Sequence, residues 1–351
     1  MPCSLVCRCR AFTKGLALRP FSKPLKSACV VALLAWPCLS ASAVDVNDPR
    51  YWLERMTRAA DKFNYEGTFV YRRHTQLIAM RIIHAADDKG NRERLMSLNG
   101  VTREIIRTDD NVTAILPDKE RQVIDRRRVA KPFSPQTLSS IKEVEKFYAL
   151  TLGGEDRTAG RGTRIVLISP RDQYRYGYRL WVDQETGLLL QSDLLNEHGD
   201  AIEQVMFTDI KLLDASPAVL VDEEKRTLVK GQALSNVANP DSGFWKVNRT
   251  PPGFVLAERY HQTRSEHHPG FEHLVYTDGL ASVSVFMEKQ ADEDNAPFSG
   301  VSHMGAVNAY GSMLGGRQVT VVGEVPLATV QLIGTSISFR PQERSGGTRP
   351  P

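Results

Sequence analysis

The 351 residues suffice for about two domains, and 41% apolar with 25% charged residues and a mean hydropathy of -0.31 describe an ordinary globular chain, which excludes a disordered, collagen-like or polytopic membrane protein. The formal charge of +4 sits at the N-terminus: residues 1–43 hold six basic and no acidic side chains, leaving 39 basic against 41 acidic beyond them. No global basic field remains to attract nucleic acid.

Residues 1–43 read as a secretory signal peptide: a long basic n-region, an apolar stretch from Ala28 to Leu39, and the small-residue site Ala41-Ser42-Ala43, with cleavage expected between Ala43 and Val44. As a membrane anchor the stretch falls short of the about 20 residues a span needs, and Pro37 interrupts it. Trp36 and Pro37 also stand before Cys38 where lipoprotein signals use small residues. All five cysteines (Cys3, Cys7, Cys9, Cys29, Cys38) lie in this segment. The expected mature chain is therefore exported to an oxidising compartment and thiol-free, without disulfides, zinc–thiolate sites or a cysteine nucleophile.

Asn47-Asp48-Pro49 caps an amphipathic helix marked by Trp52, Met56, Ala59 and Phe63. From Tyr65 the period changes to two. Runs at 67–73, 77–84, 92–98, 101–108, 112–116 and 122–125 alternate with turn signals, and Asn99-Gly100 predicts a two-residue hairpin placing Leu98 opposite Val101. Ser134-Pro135 opens a second helical stretch with Leu138, Ile141, Val144 and Tyr148 on its apolar side. Strands resume at 164–169, 174–182, 188–195 and 202–212, joined by Glu185-Thr186-Gly187 and His198-Gly199-Asp200. About ten locally connected strands and two helices argue for one large curved antiparallel sheet whose concave face the helices partly cover. Leu77, Ala79 and Ile83 alternate with Ile78, Met80 and Ile82, so one face packs on a helix and the other needs a cover or a ligand.

Residues 214–243, with Asp222–Lys225 and Asn239-Pro240-Asp241-Ser242-Gly243, read as a linker between a first domain at 44–213 and a smaller α+β unit at 244–340. In that unit a hairpin from His273 to Phe286 turns at Asp278-Gly279. Pairing Thr277 with Leu280 aligns Val275 with Ser282 and Leu274 with Val283. Met304–Leu314 is read as a helix stopped by Gly315, 318–323 and 329–338 as strands, and 341–351 as a disordered tail.

Candidate chemistry is thin. Gly300-Val301-Ser302-His303-Met304 begins like a nucleophile elbow but ends in methionine where a small residue is required. His261, His267, His268 and His273 beside Glu266 and Glu272 fit no standard zinc spacing. Asp292-Glu293-Asp294-Asn295 lacks the glycine and terminal glutamate of a calcium loop, and Gly160-Arg161-Gly162 is too sparse to cradle phosphate. No catalytic set, cofactor or metal is expected. Two patterns concern binding. Arg126-Arg127-Arg128 concentrates positive charge suited to lipid phosphates or a partner's carboxylates, or equally to a charged protective edge. Tyr174, Tyr176 and Tyr178 alternate with Arg175 and Arg179, as in a strand with rings on one side and guanidinium groups on the other.

These residues resemble the periplasmic sigma-factor regulators of the RseB/MucB family. The carriers are Tyr51-Trp52-Leu53 with Tyr65-Glu66-Gly67-Thr68-Phe69-Val70-Tyr71, the segment Arg171–Trp181, Thr186-Gly187-Leu188-Leu189, Pro252-Gly253-Phe254, the hairpin His273–Phe286, and Val319–Pro326. The resemblance implies a LolA-like open half-barrel followed by a smaller domain. It also implies binding of the periplasmic domain of a transmembrane anti-sigma factor, its protection from regulated proteolysis, and its release when lipid, lipoprotein or lipopolysaccharide is sensed. Lipid contacts are expected at Phe69, Ile78, Met80, Ile82, Tyr174, Tyr176 and Tyr178, and partner contacts at Arg126, Arg127, Arg128, Tyr276, Asp278, Gly279 and Tyr310, with a homodimer as a further possibility. The rival reading is a lipid or lipoprotein carrier of LolA type, which needs only the first domain; an enzyme ranks third.

Overall fold

The computed structural model describes residues 45–73, 75–87, 90–108, 111–116, 119–125, 141–217, 245–262, 271–289 and 296–339. All lie in one compact unit, Val44–Pro351. Residues 1–43, expected as a signal peptide, Arg126–Arg128, most of the expected linker and residues 341–351 fall outside the described residues.

Helix α1 (Pro49–Ala60) starts as its sequence dictates: Asp48 Oδ1 accepts the Arg50 N–H and proline occupies the first turn. The first sheet has eleven antiparallel strands, which form two meanders. One runs through β1 (Asn64–Arg73), β2 (Gln76–Asp87), β3 (Gly90–Ser97), β4 (Glu104–Arg107), β5 (Asn111–Leu116) and β6 (Lys119–Asp125). The other follows α2 (Ile141–Val144) through β7 (Tyr148–Thr158), β8 (Arg161–Pro170), β9 (Gly177–Asp183), β10 (Leu189–Leu195) and β11 (Ala201–Leu213). They join where β1 pairs with β11, and β6 and β7 are the outermost strands among the described residues. Register shifts at Thr68/Phe69, Leu189/Gln191, Leu194/Leu195 and Leu152/Glu155 mark bulges. Bulges increase local twist and bend a sheet, and β7 here curls back to approach β11. The expected open half-barrel is what forms.

α1 closes one face of this sheet. Trp52, Leu53 and Met56 pack with Val166 and Ile168 of β8 and with Tyr178, Leu180 and Val182 of β9. Ala59 extends that face to a second cluster of Phe69, Ile82, Leu95, Leu188, Leu190 and Phe207. The helix therefore bridges both meanders through apolar burial.

The second sheet has six strands in the order β13-β14-β15-β18-β17-β16, built from β13 (Val255–Gln262), β14 (Phe271–Thr277), β15 (Ser282–Lys289), β16 (Gly300–Met304), β17 (Val307–Leu314) and β18 (Arg317–Gly323). β12 (Trp245–Val247) pairs with β19 (Ile337–Phe339), and α3 (Leu327–Gly334) packs on the sheet.

Several sequence expectations change. Met304–Leu314 is no helix: Gly305, at φ 66°, begins a two-residue turn that sets Met304 opposite Val307, and Gly315-Gly316, both at positive φ, turns β17 into β18. The stretch 329–338 is mostly helix. Pro326 precedes it, Val330 and Ile333 fill the core one turn apart, and Gly334 leaves room for the Tyr310 ring, which a Cβ would meet at 2.2 Å. The second helical stretch shortens to α2 among the described residues, and Tyr148 begins a strand. The 174–182 strand begins only at Gly177.

Both two-residue hairpins are wider than expected, for one reason. Asp278 Oδ1 accepts the N–H groups of Leu280 and Ala281, so the turn takes four residues and Thr277 pairs with Ser282, Val275 with Ser284 and Leu274 with Val285. Asn99 likewise turns to β2, accepting from Ala79 N–H and donating to Leu77 C=O, so β3 and β4 close between Ser97 and Arg103 instead of Leu98 and Val101. Short polar side chains that bond the backbone compete with the tight turn.

Candidate functional site

The loop Tyr174-Arg175-Tyr176, which precedes β9, is the centre of the junction between the two sheets. Arg175 is 2% exposed. Its Nε lies 3.4 Å from Asp278 Oδ2 and 3.4 Å from Asp172 Oδ1, and its Nη2 donates to the Pro252 carbonyl at 2.5 Å. The guanidinium also sits 4.8 to 5.4 Å from the ring centres of Phe147, Phe254 and Tyr148, a cage in which the ring faces attract the cation. Tyr148 donates its hydroxyl to Asp278 Oδ2 at 2.9 Å. Burial first, and the neighbouring Asp278 charge second, push the Tyr148 hydroxyl pKa well above its ordinary value.

Further ties surround this centre. Asn308 donates to the Tyr176 hydroxyl at 3.1 Å and to the Val325 carbonyl at 2.8 Å, and Thr329 Oγ1 donates to the Tyr174 carbonyl at 2.6 Å. Burial raises the Tyr176 pKa, and its bond to Asn308 opposes that. Leu280 and Ala306, both from the second-sheet unit, are buried inside the α1 core of the first. Gly253, at φ 87°, lies against the Phe147 ring, which a Cβ would meet at 2.3 Å. Arg73 reaches from the end of β1 to the Met304 carbonyl at 2.9 Å, while its Nε faces Glu203 at 3.1 Å. Glu203 in turn accepts from the Tyr71 hydroxyl at 2.7 Å. Beside this last tie a cleft of about 290 Å³ opens between the units, lined by Arg73, Thr75, Gln76, His303, Met304 and Gly305.

The structure divides the expected lipid-contact set. Phe69 pairs with Met80 and Ile82 lies two residues along the same face, within the α1-side cluster. Ile78, opposite Tyr71, is half-buried near the end of that row. Tyr178 belongs to the α1 core, whereas Tyr174 and Tyr176 serve the junction. Of the expected partner contacts, Tyr276 is buried in the second core, Asp278 and Gly279 form the junction turn, and Tyr310 is on β17 against α3. Sequence reading missed Arg175 as a bridge. Its signal was an arginine between two tyrosines, but Asp278 lies too far along the chain to be paired by spacing.

Among the described residues no three His, Cys, Asp or Glu side chains gather as a metal site. The Gly300–Met304 string is strand β16 and not an elbow. Among the described residues no helix is long and apolar enough to cross a membrane.

The arrangement is therefore two sheets joined by a seam that holds a buried charge pair. The family model described as the MucB/RseB N-terminal domain matches residues 48–229, and that of the MucB/RseB C-terminal domain matches residues 239–338. The sigma factor AlgU regulatory protein MucB of Pseudomonas aeruginosa is 33% identical over 322 residues, 88% of this chain and 96% of that protein. The sigma-E factor regulatory protein RseB of Haemophilus influenzae is 27% identical over 288 residues, 82% and 90% of the two chains. Among solved structures, MucB in complex with MucA(peri) superposes with a TM-score of 0.63 at 32% identity, covering 84% of this chain and all of that one. MucB alone gives 0.56 at 30% identity, covering 83% and 97%. With both halves matched in order along one chain, the protein belongs to the MucB/RseB family.

Proposed function

We propose that this chain is a periplasmic negative regulator of an envelope-stress sigma factor. It binds the periplasmic domain of a transmembrane anti-sigma factor and shields it from proteolysis. It lets go when a lipid, lipoprotein or lipopolysaccharide occupies the half-barrel. The observation that carries this reading is the junction: Leu280 and Ala306 of the second unit complete the first unit's core, so both units act as one receptor, where a lipid carrier needs the first alone. MucB, the relative solved with MucA(peri), matches over its whole length.

Acyl chains enter at the half-exposed end of the α1-side row, Ile78, Met80 and Tyr71, and reach toward Phe69 and Ile82. Two ligands on one scaffold are linked. An amphiphile that favours an arrangement gripping the anti-sigma segment less well must itself bind less well when that segment is present. A coupling of about 2 to 3 kcal/mol changes affinity roughly 30- to 150-fold. Residues 1–43 are removed before Val44, and the mature chain has no cofactor.

The experiment measures binding of mature protein, residues 44–351, to the periplasmic domain of Pseudomonas aeruginosa MucA by calorimetry, with and without a lipopolysaccharide fragment. Binding that weakens with the amphiphile, together with protection of the MucA domain from protease, supports the reading. Lipid transfer between vesicles with no binding of the MucA domain supports the carrier. Equal affinities in both arms remove the sensing step.

A further inference from the structure

A sheet edge is a row of unpaired N–H and C=O groups, and folded proteins defend it with charge, bulges, proline or shortness. Among the described residues the two large sheets have four edges, and three are defended. β6 opens Lys119-Glu120-Arg121 and pairs with β5 through a register shift at Ala114/Leu116. β7 is bulged between Leu152 and Glu155 and exposes Glu155, Asp156 and Arg157. β13 is bulged between Leu256 and Glu258 and carries Glu258 and Arg259.

β16 is the shortest of the four at five residues, and the Arg73 guanidinium bonds its last carbonyl, but it has no charge, bulge or proline of its own. Gly300-Val301-Ser302-His303-Met304 contains no Lys, Arg, Asp, Glu or Pro, and its register with β17 is unbroken. All five residues are exposed, Val301 by 50% and Met304 by 65%. Its C-terminal end runs into the cleft against Arg73, Thr75 and Gln76. That cleft holds about ten waters' worth of space, enough for one or two side chains of a single strand and too little for the body of a second copy of this protein.

We propose that β16 receives an extended segment of a protein partner as a seventh strand of the second sheet, with one side chain of that segment filling the cleft. The inference rests on the reading that the partner is the periplasmic domain of an anti-sigma factor, and it names where that partner docks. In strand addition, main-chain hydrogen bonds supply affinity and alternate side-chain pockets supply selectivity. The segment that fits is short and uncharged, with aliphatic residues opposite Val301 and Met304.

The test uses mature protein and the periplasmic domain of Pseudomonas aeruginosa MucA. Hydrogen exchange of wild type should slow at least tenfold on binding at the outward-facing amides of Val301 and His303, which alternate with the β17-bonded ones, with the amides of β13 unchanged. Val301→Lys, an exposed substitution that leaves the core untouched, should weaken binding at least tenfold. Binding with unchanged exchange along β16 and full affinity of the variant would overturn this inference and leave the proposed function standing. Protection of β13 instead would assign the partner, or a second copy, to the other edge. No binding by wild type would overturn both.

Discussion

Arg175 and Asp278 face each other at 3.4 Å across the junction with both side chains wholly buried. A buried pair adds little net stability because of its desolvation, but removing one member strands the other charge. Asp278→Ala should cost about 3 to 5 kcal/mol, measured as a shift in the urea midpoint. The apolar double replacement Arg175→Met with Asp278→Leu should recover the part due to the stranded charge and no more, because the Tyr148 hydroxyl and the Leu280 and Ala281 amides still lose their acceptor. A double variant no better than the single one would show that the pair is not the coupled unit described here.

Tyr148 supplies a pH test. Its pKa in the folded protein is raised above the ordinary value of 10.0, mainly by burial. A raised folded-state pKa contributes stability that is fully present below the unfolded value and is lost as pH rises beyond it. Stability should therefore be flat through neutral pH and fall above about pH 10, with tyrosinate absorbance near 295 nm appearing in step with unfolding. Tyr148→Phe should reduce the slope of that alkaline limb. Full ionisation of the folded protein at pH 10 would contradict the burial.

Two glycines separate strain from crowding. Gly199 and Gly253 both have φ above 80°, but a Cβ on Gly199 meets open space while one on Gly253 meets the Phe147 ring. Gly199→Ala should cost about 1 kcal/mol of backbone strain. Gly253→Ala should cost distinctly more, read from paired thermal melts. Equal losses would mean that the ring yields without cost.

Leu280 belongs to the second unit by sequence and to the first by burial. Leu280→Ala should destabilise by about 2 to 5 kcal/mol. Calorimetry of wild type should show one transition for both units, which the variant splits or broadens.

Local rules recovered much of this molecule. Asp48-Pro49 placed α1, and the alternation of Ile78, Met80 and Ile82 fixed which residues of β2 share the α1 side. The failures came where a distant partner decided the local structure. Tyr174-Arg175-Tyr176 has a strand's alternation, yet the ties to Asp278, Pro252, Asn308 and Thr329 hold it as a loop. Thr329, Val330 and Ile333 are β-branched and read as strand, but burial against the second sheet outweighs that weak preference. Asp278-Gly279 marked the right turn with the wrong register, because the carboxylate bonds two backbone amides of the loop and Leu280 is drawn into the neighbouring core. The expected contact roles of Tyr276 and Asp278 ignored that both would be enclosed.

The borrowing of Leu280 and Ala306 by the first core also orders events during export. A chain that crosses the membrane from its N-terminus presents residues 44–213 before either side chain arrives, so the first sheet starts with an incomplete core beneath α1. Closing contacts between such remote stretches carries a loop-entropy cost and slows folding. A mature chain truncated before residue 280 should accordingly bind general holdase chaperones that the finished protein ignores.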